Sequence, residues 1–485
     1  MNLRTLLWLS LKALFLALEA KAQYWAPLLN GIEDTPGSIN VAYGDTVWDA
    51  LLIGGSVKWI IDGSDTLDIQ GAAIWTGTAW DTLPARLGIC SGGNVCSPIW
   101  EFMRYKGDLY VNGAFGFYTA SGEANEGIAR WDTLVSEWEA LECLNPSNGG
   151  MLTMMYLPPS DTMYFTGYRG SVCGYPESCV FEYDGNGFYP FEPFDSWPGL
   201  PEDDYVGYVF RFQGDLYMTG LLNSTVTGDF YGFLKYNGLS WDTVPGFSTP
   251  APIKDVLIYD GKLNVCGYFF TNTGAPGNLV TVFDGQQWSD MGGGLRYALP
   301  NSTLGNAYDL HEWNGDIYVA GQFNYAGGVY AENVARWNGH QWCGMGGAFA
   351  NETPGGVVLS VTDWRDTLYI AGGFNTIDGD TVNNVAKWLG EVENCSPSVG
   401  IAEAGERTHA LLPMLLAASG LWQLNVPEGV QVLRLYDAQG RLVREERVGN
   451  QRTMLIDLSG EPSGFYALAC TAGDGLIRHA KIFAP

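Results

Sequence analysis

The chain has 485 residues, of which 46% are hydrophobic and 14% are aromatic, and it contains 64 Gly and 18 Trp. This composition is too apolar for a disordered chain, and so much glycine and aromatic residue excludes a mainly helical protein. The formal net charge is −28, nearly all of it within residues 23–400. Such a surface repels nucleic acid and anionic membranes, so neither is expected as a partner.

Residues 1–22 have the pattern of a secretory signal peptide. Arg4 supplies the positive start, Leu6 to Leu18 form the apolar core, and Ala20-Lys21-Ala22 provides a small-residue cleavage site. A membrane anchor is the alternative, but it requires about 20 uninterrupted apolar residues, and Lys12 interrupts this run. No other segment reaches that length, so the mature chain is not expected to be an integral membrane protein.

Residues 23–395 repeat one unit seven times, and Leu310–Gly347 is its clearest copy. In each unit one apolar-aromatic run ends on glycine, a second run ends on an aromatic residue, and a turn leads to a further aromatic. Asn314-Gly315 and Asn338-Gly339 separate alternating runs, a pattern that favours type I′ hairpin turns. Four strands in about 50 residues predict a seven-bladed all-β propeller, since tandem β-sandwiches need about 100 residues each.

The seventh unit lacks its fourth strand, because no aromatic run follows Lys387–Gly390. A matching run stands at the mature N-terminus, where Tyr24–Leu29 parallels Gln341–Met345, and each is followed by an acidic residue and Thr-Pro-Gly. The sequence therefore predicts that Tyr24–Leu29 is the outer strand of the last blade and closes the ring.

The units resemble the kelch-like propeller family in Tyr318-Val319-Ala320-Gly321 and in Val334-Ala335-Arg336-Trp337-Asn338-Gly339. The resemblance covers roughly residues 24–395. It implies the fold and no particular activity.

The nine cysteines favour loop disulfides over a metal site. Two pairs are separated by six residues, Cys90 with Cys96 and Cys173 with Cys179, and export would permit disulfides between them. Cys343 with Cys395 is a third possible pair. CxxC spacings are absent and the four His are scattered, so no metal is expected.

The composition changes after Cys395. Residues 396–413 have the character of a linker, and residues 414–485 contain short alternating strands that predict a small β-sandwich. Four blocks in this region resemble the type A C-terminal sorting domain of the type IX secretion system of Bacteroidota: Leu435–Val443, Ile456–Ser459, Gly464–Leu468 and Ala480–Phe483. The resemblance implies passage to the periplasm and then, through the type IX machinery as partner, to the medium or the outer cell surface. An immunoglobulin-like adhesive domain is the alternative.

No catalytic motif is present, since the sequence lacks HExxH, GxSxG, SxxK and a phosphate-binding loop. Asp378-Gly379-Asp380 and Asp62-Gly63-Ser64-Asp65 could hold calcium. Neither matches a full EF-hand loop, and turn formation explains both better.

The topology of a four-stranded meander places two kinds of loop on opposite faces of the ring. The turns between first and second and between third and fourth strands are short. The loops between second and third strands and the connections between blades are long, and we name their side the long-loop face. Long loops on a rigid scaffold commonly carry binding sites. The candidate binding residues are therefore loop aromatics and acids: Trp59, Tyr118, Tyr168, Tyr175, Phe230, Phe270, Tyr325, Tyr330, Asp203 and Asp204.

Three functions remain open at this point. The favoured hypothesis is a non-enzymatic propeller that binds an extracellular glycan or protein through the long-loop face. The alternatives are a surface polysaccharide hydrolase or lyase that uses loop carboxylates, and a structural adhesion component without a small ligand.

Overall fold

The computed structural model describes residues 25–29, 31–32, 38–62, 65–84, 87, 98–118, 124–141, 151–158, 160–170, 173, 175, 178–191, 205–223, 230–247, 252–298, 305–350, 356–390, 413–417, 421–425, 432–436, 442–448, 453–462, 464–471 and 477–484. The chain divides into two compact units, Met1–Ser398 and Val399–Pro485. Among the described residues, no helix has the length and hydropathy needed to span a bilayer.

The first unit is a seven-bladed β-propeller, which confirms the predicted fold class. Seven four-stranded antiparallel sheets follow one another, and the inner strand of each contacts the next, including the seventh and the first. Named from inner to outer strand, blades 1 to 4 are Ile39–Asp45, Ala50–Gly55, Ala72–Trp75, Trp80–Thr82; Ile99–Tyr105, Asp108–Tyr118, Ala124–Asp132, Glu137–Ala140; Met151–Met155, Met163–Gly170, Ser178–Tyr183, Phe188–Pro190; and Tyr205–Phe212, Asp215–Asn223, Phe230–Tyr236, Trp241–Thr243. Blades 5 to 7 are Ile253–Tyr259, Lys262–Gly267, Val280–Phe283, Trp288–Asp290; Asn306–Trp313, Asp316–Gln322, Val334–Trp337, Trp342–Gly344; and Val357–Trp364, Thr367–Gly373, Val385–Trp388, Trp25–Pro27.

The recurring glycine at the end of each second strand is explained by a bulge in the inner strand. In all seven blades the register between the first and second strands shifts next to this glycine, as at Ala307/Asp309 opposite Gly321 and at Val358/Ser360 opposite Gly372. A Cβ on Gly372 would lie 2.1 Å from the carbonyl oxygen of Val357. Only glycine allows the bulged strand to approach this closely.

The N-terminal strand closes the ring as predicted. Trp25–Pro27 pairs antiparallel with the third strand of blade 7, and Trp25 lies opposite Trp388. The Trp25 side chain is 1% exposed, and its Nε1 donates a hydrogen bond to the carbonyl oxygen of Met345 at 3.2 Å. Trp342 makes the same bond to Met291 of the preceding blade. Trp25 is therefore the structural equivalent of Trp342.

The loops of the long-loop face contain strands of their own. Leu295–Arg296 and the hairpin Tyr325–Ala326/Val329–Tyr330 form one three-stranded sheet, and Phe349–Ala350 with Thr376–Ile377/Asp380–Thr381 forms another. Trp59–Asp62 pairs with Asp65–Asp68. A short 3-10 helix spans Thr271–Thr273. In blades 6 and 7, therefore, the connection from the previous blade is hydrogen-bonded to the long loop.

The second unit contains two antiparallel sheets. In order, they are Pro413–Ala417, Leu421–Asn425, Thr453–Asp457, and Leu442–Arg447, Val432–Tyr436, Gly464–Thr471, Ile477–Ala484. Leu424 and Ile456 of the first sheet share a core with Leu433, Leu435 and Leu468 of the second, which makes a small β-sandwich. The first strand, Pro413–Ala417, begins at the last residue of the predicted linker. Its Pro-Met-Leu-Leu-Ala sequence lacks the alternation by which half-buried strands are recognised.

Candidate functional site

Eight of the ten candidate binding residues lie in the part of the chain that the structure describes. Side chains are described for Trp59, Tyr175, Phe270, Tyr325 and Tyr330. Tyr118, Tyr168 and Phe230 lie in blade strands, but their side chains fall outside the description, and Asp203 and Asp204 lie outside the described residues.

Tyr325 and Tyr330 form an aromatic pair on the hairpin loop of blade 6. They are paired residues across this two-stranded ribbon, and their rings meet edge to face with centroids 5.7 Å apart. Gly327 and Gly328 make the turn with φ of 54° and 87°, values that glycine adopts without strain. The backbone of Tyr330 lies against the outer strand of blade 6, since a Cβ on Gly344 would lie 2.5 Å from the Tyr330 carbonyl oxygen, and 58% of the surface of Tyr330 is exposed.

Charged groups flank both rings of this pair. The Arg296 guanidinium lies 4.7 Å from the centroid of the Tyr325 ring, within the distance of a cation–π contact. The Tyr330 hydroxyl donates a hydrogen bond to Glu332 Oε2 at 2.7 Å. We name Arg296, Tyr325, Tyr330 and Glu332 together the Tyr330 patch.

The pKa values of Glu332 and Tyr330 in the patch are both raised above their ordinary values. Partial burial raises the pKa of the Glu332 carboxyl, the hydrogen bond from Tyr330 lowers it, and the nearby Asp378 raises it further. Burial and the hydrogen bond to Glu332 raise the pKa of Tyr330 well above its ordinary value. The phenol therefore stays protonated and remains a hydrogen-bond donor.

Backbone and amide hydrogen bonds hold the patch in place. Asn324 Nδ2 donates to the carbonyl oxygen of Ala298 at 3.0 Å, and the Ala298 N–H donates back to Asn324 Oδ1 at 2.8 Å. The Gly327 N–H donates to Gly294 O at 2.8 Å, and the Ala331 N–H donates to Asn324 O at 3.1 Å. The hairpin is thus fixed to the strand that carries Arg296, and little conformational entropy remains to be lost on binding.

A second aromatic pair lies on the adjoining loop of blade 5. Tyr268 and Phe270 meet edge to face at 5.2 Å; Tyr268 is 39% exposed, and Phe270 packs partly against the core that contains Ala326. This loop is joined to the Leu295–Arg296 strand, because the Leu295 N–H donates to Asn278 O at 2.9 Å. Tyr268 is not among the residues predicted from the sequence. It directly follows Gly267, the glycine that ends the second strand of blade 5, and extending the apolar-aromatic run past Gly267 would have included it.

The remaining described candidates do not join this group. Trp59 is half-buried on the hairpin of blade 1, with Lys58 Nζ 4.7 Å from its ring centroid. Tyr175 packs partly against the core of blade 3. Of the five candidates whose side chains the structure describes, Phe270, Tyr325 and Tyr330 lie on connected loops of blades 5 and 6, and Trp59 and Tyr175 lie on other blades.

The Asp378-Gly379-Asp380 motif contains a turn at Asp378 and Gly379. Asp378 and Gly379 have φ of 55° and 89°, and Asp378 Oδ1 accepts a hydrogen bond from the Ala348 N–H at 2.9 Å. Asp62 pairs with Asp65 at the end of a hairpin. Within the described ranges, no group of three or more His, Cys, Asp or Glu has the geometry of a metal site.

The predicted Cys173–Cys179 disulfide is not formed in the structure. Cys179 lies on the third strand of blade 3 with its side chain in the core, whereas Cys173 is exposed on the loop before it. Cys90 and Cys96 lie outside the described residues. Cys343 is disulfide-bonded, and Cys395, its predicted partner, lies outside the described residues.

No protein-family model matches the chain, and no curated protein matches it. Among solved structures, it is similar to the extracellular domain of a protein described as a one-component system of B. thetaiotaomicron, with 12% identity, a TM-score of 0.45, and coverage of 94% of this chain and 52% of that one. It is similar to the extracellular domain of a hybrid two-component system of the same organism, with 12% identity, a TM-score of 0.45, and coverage of 95% and 57%. It is also similar to PorZ, a surface component of the type IX secretion system of Porphyromonas gingivalis, with 11% identity, a TM-score of 0.35, and coverage of 92% and 75%. The chain spans about half the length of the first two.

Proposed function

We propose that this protein is an exported propeller, secreted or held at the cell surface, which binds an extracellular glycan or protein through the long-loop face. The Tyr330 patch is the centre of this contact. The observation that carries the proposal is the Tyr330 ring, which is 58% exposed, packs on Tyr325 and donates its hydroxyl hydrogen bond to the Glu332 carboxylate.

The chemistry of the patch suits a ligand with both an apolar face and hydroxyl groups. The exposed faces of Tyr268 and Tyr330 offer flat apolar area, and tyrosine supplies such area with few rotatable bonds. Arg296 can donate several hydrogen bonds, and the Glu332 carboxylate can accept them. Aromatic and arginine side chains held in this way are the usual centres of binding energy.

The route to the surface is part of the same proposal. The blocks at Leu435–Val443 and Gly464–Leu468 support a sorting domain in residues 414–485, and residues 1–22 support entry into the export pathway. The type IX machinery would then be a transient partner of the C-terminal unit.

A glycan array probed with the mature chain tests the binding proposal, with two matched variants. Tyr330→Ala removes the exposed ring. Tyr189→Ala is the control, because Tyr189 is also exposed, at 46%, and its hydroxyl also donates to a carboxylate, that of Asp184, but on the outer strand of blade 3. We expect glycan signals that Tyr330→Ala abolishes and Tyr189→Ala leaves unchanged. An array without any wild-type signal would rule out the glycan class, and equal signals for both variants would rule out the patch.

One observation favours a hydrolase as the second candidate. Glu332 is half-buried with a raised pKa, as in a general acid, and Asp378 lies near enough to influence it. A glycosidase would need a second carboxylate about 5–10 Å away. Polysaccharide turnover that is lost in Glu332→Gln while binding persists would establish this candidate.

A further inference from the structure

The three-stranded sheet on the loops of blade 6 carries one row of side chains across its open face. Arg296 pairs with Tyr325, and Tyr325 pairs with Tyr330, so the three lie directly opposite one another on adjacent strands and share a face. The other row contains Leu295 and Ala326, which are buried in the core. We name Arg296, Tyr325 and Tyr330 the Tyr325 row. Because neighbouring strands lie about 4.8 Å apart, this row is about 10 Å long.

Blade 7 carries a sheet of the same construction with a different row. Ala350 pairs with Thr376, and Thr376 pairs with Thr381. In both sheets the asparagine before the second strand donates its backbone N–H to the last residue of the first strand, at 3.0 Å in blade 6 and 2.8 Å in blade 7. Ala350, Thr376 and Thr381 therefore occupy the positions of the Tyr325 row. Since the sheet forms with small residues at these positions, the fold does not require an arginine and two tyrosines there.

Arg296 is an exposed cation without a carboxylate partner. Among the described residues it forms no ion pair, whereas four other arginines of the propeller each pair with a carboxylate: Arg104, Arg130, Arg336 and Arg365. Acidic residues outnumber basic ones by 53 to 25, so a shortage of carboxylates does not explain the difference.

The Arg296 guanidinium lies instead on an aromatic ring, 4.7 Å from the centroid of Tyr325. A guanidinium that stacks in this way keeps N–H donors free, and their fork matches a planar anion through two parallel hydrogen bonds. The Tyr325 row therefore has a site for an anionic group beside its two aromatic rings.

The Tyr330 hydroxyl has the opposite preference. It donates to Glu332 Oε2 at 2.7 Å. A carboxylate beside this hydroxyl repels an anion and accepts hydrogen bonds from neutral hydroxyl groups. An anionic group of a ligand is therefore favoured at Arg296 and disfavoured beside the Tyr330 hydroxyl, which orients the ligand along the row.

We propose that the ligand of the Tyr330 patch is a glycan with an anionic group, the carboxylate of a uronic acid or a sulfate ester, and that Arg296 selects it. This inference rests on the proposed binding function and adds the chemical class of the ligand. The sugar rings lie on Tyr325 and Tyr330, the anionic group binds the Arg296 guanidinium, and neutral hydroxyls donate to Glu332.

Two considerations narrow the ligand further. The net charge of −28 repels a densely charged polyanion at a distance, so the expected glycan carries few anionic groups among neutral sugars. A peptide rich in Asp or Glu would bring further carboxylates next to Glu332, whereas sugar hydroxyls can donate to it.

Matched oligosaccharides test this inference on the mature chain. Each set compares one neutral backbone with its uronic acid and sulfate ester forms by calorimetric titration, and a poly-glutamate peptide is a further probe. Arg296→Gln removes the cation from an exposed position, and an unchanged circular dichroism spectrum verifies that the variant is folded. Lys262→Gln is the control, because Lys262 is exposed at the turn between the first and second strands of blade 5 and the substitution changes the net charge equally.

We expect the wild type and Lys262→Gln to bind an anionic form about tenfold or more tightly than its neutral counterpart, and the form that gains identifies the anionic group. Arg296→Gln should lose this preference and retain the affinity for the neutral form. Equal affinities for anionic and neutral forms in the wild type, or a preference that Arg296→Gln retains, would overturn this inference and leave glycan binding by the propeller standing. Binding of the peptide without any glycan would overturn it and assign the site to a protein ligand. Absence of all binding would overturn the proposed function as well, so the two failures are distinguishable.

Discussion

Replacing Trp25 by Ala removes the side chain that fastens the N-terminal strand to blade 7. Trp25 is 1% exposed, packs edge to face on Trp388 at 4.9 Å, and donates to the carbonyl oxygen of Met345. Truncation of a buried aromatic costs about 3–5 kcal/mol, and a buried carbonyl left without its donor adds about 1 kcal/mol or more. We expect the free energy of unfolding to fall by about 4–6 kcal/mol.

Denaturant unfolding of the mature chain, followed by tryptophan fluorescence and circular dichroism, measures this loss. Leu29→Ala is the matched control from the same segment, because Leu29 is 44% exposed and its truncation removes little buried area. The control should stay within about 1 kcal/mol of the wild type. If Trp25→Ala unfolds at the same denaturant concentration as Leu29→Ala, the N-terminal strand does not close the ring.

Three further predictions concern ion pairs, metal and export. Arg104→Met should destabilise the propeller by about 3–5 kcal/mol in urea unfolding, because Arg104 pairs with the fully buried Asp45 through Nη2 at 2.5 Å. The control Arg365→Met breaks the exposed pair with Asp49 and should leave the urea midpoint unchanged. Removing calcium with a chelator should not shift Tm, since Asp378 is engaged by a backbone N–H; a fall in Tm that calcium restores would contradict the turn interpretation. A chain that ends at Ser396 should accumulate in the periplasm of a type IX-competent host, and its appearance in the medium would contradict the sorting role of the C-terminal unit.

The repeat made the propeller predictable from the sequence because each blade repeats the same local requirements. A glycine must face the inner-strand bulge, and an aromatic residue must fill the outer strand, so both recur at matching places in nearly every unit. The missing outer strand of the seventh unit could be found for the same reason. Trp25 and Trp342 each donate an equivalent side-chain hydrogen bond, to the carbonyl oxygens of Met345 and Met291 respectively.

The features that were not predicted depend on side-chain direction and on neighbouring blades. The spacing of Cys173 and Cys179 does not reveal that one side chain faces the core. The Asp255 and Asp309 carboxyl groups accept hydrogen bonds from backbone N–H groups of the following blade. The bulge shifts the inward and outward alternation by one residue, so a period-two pattern does not identify these positions.

The candidate site was predictable only in part for a related reason. Loop aromatics can be selected from the sequence, but whether they pack inward or remain exposed depends on how loops from different blades meet. Tyr330 on the hairpin loop of blade 6 is 58% exposed, whereas Tyr175, selected on the same grounds, packs partly against the core of blade 3.

Calorimetric titration of an array-identified glycan into wild type, Tyr330→Ala and Tyr189→Ala tests the proposed binding function most directly. Removal of a central aromatic anchor costs about 2 kcal/mol or more, so Kd for Tyr330→Ala should rise by about tenfold or more while Tyr189→Ala stays close to the wild type. Equal Kd values for all three proteins would contradict ligand binding through the Tyr330 patch.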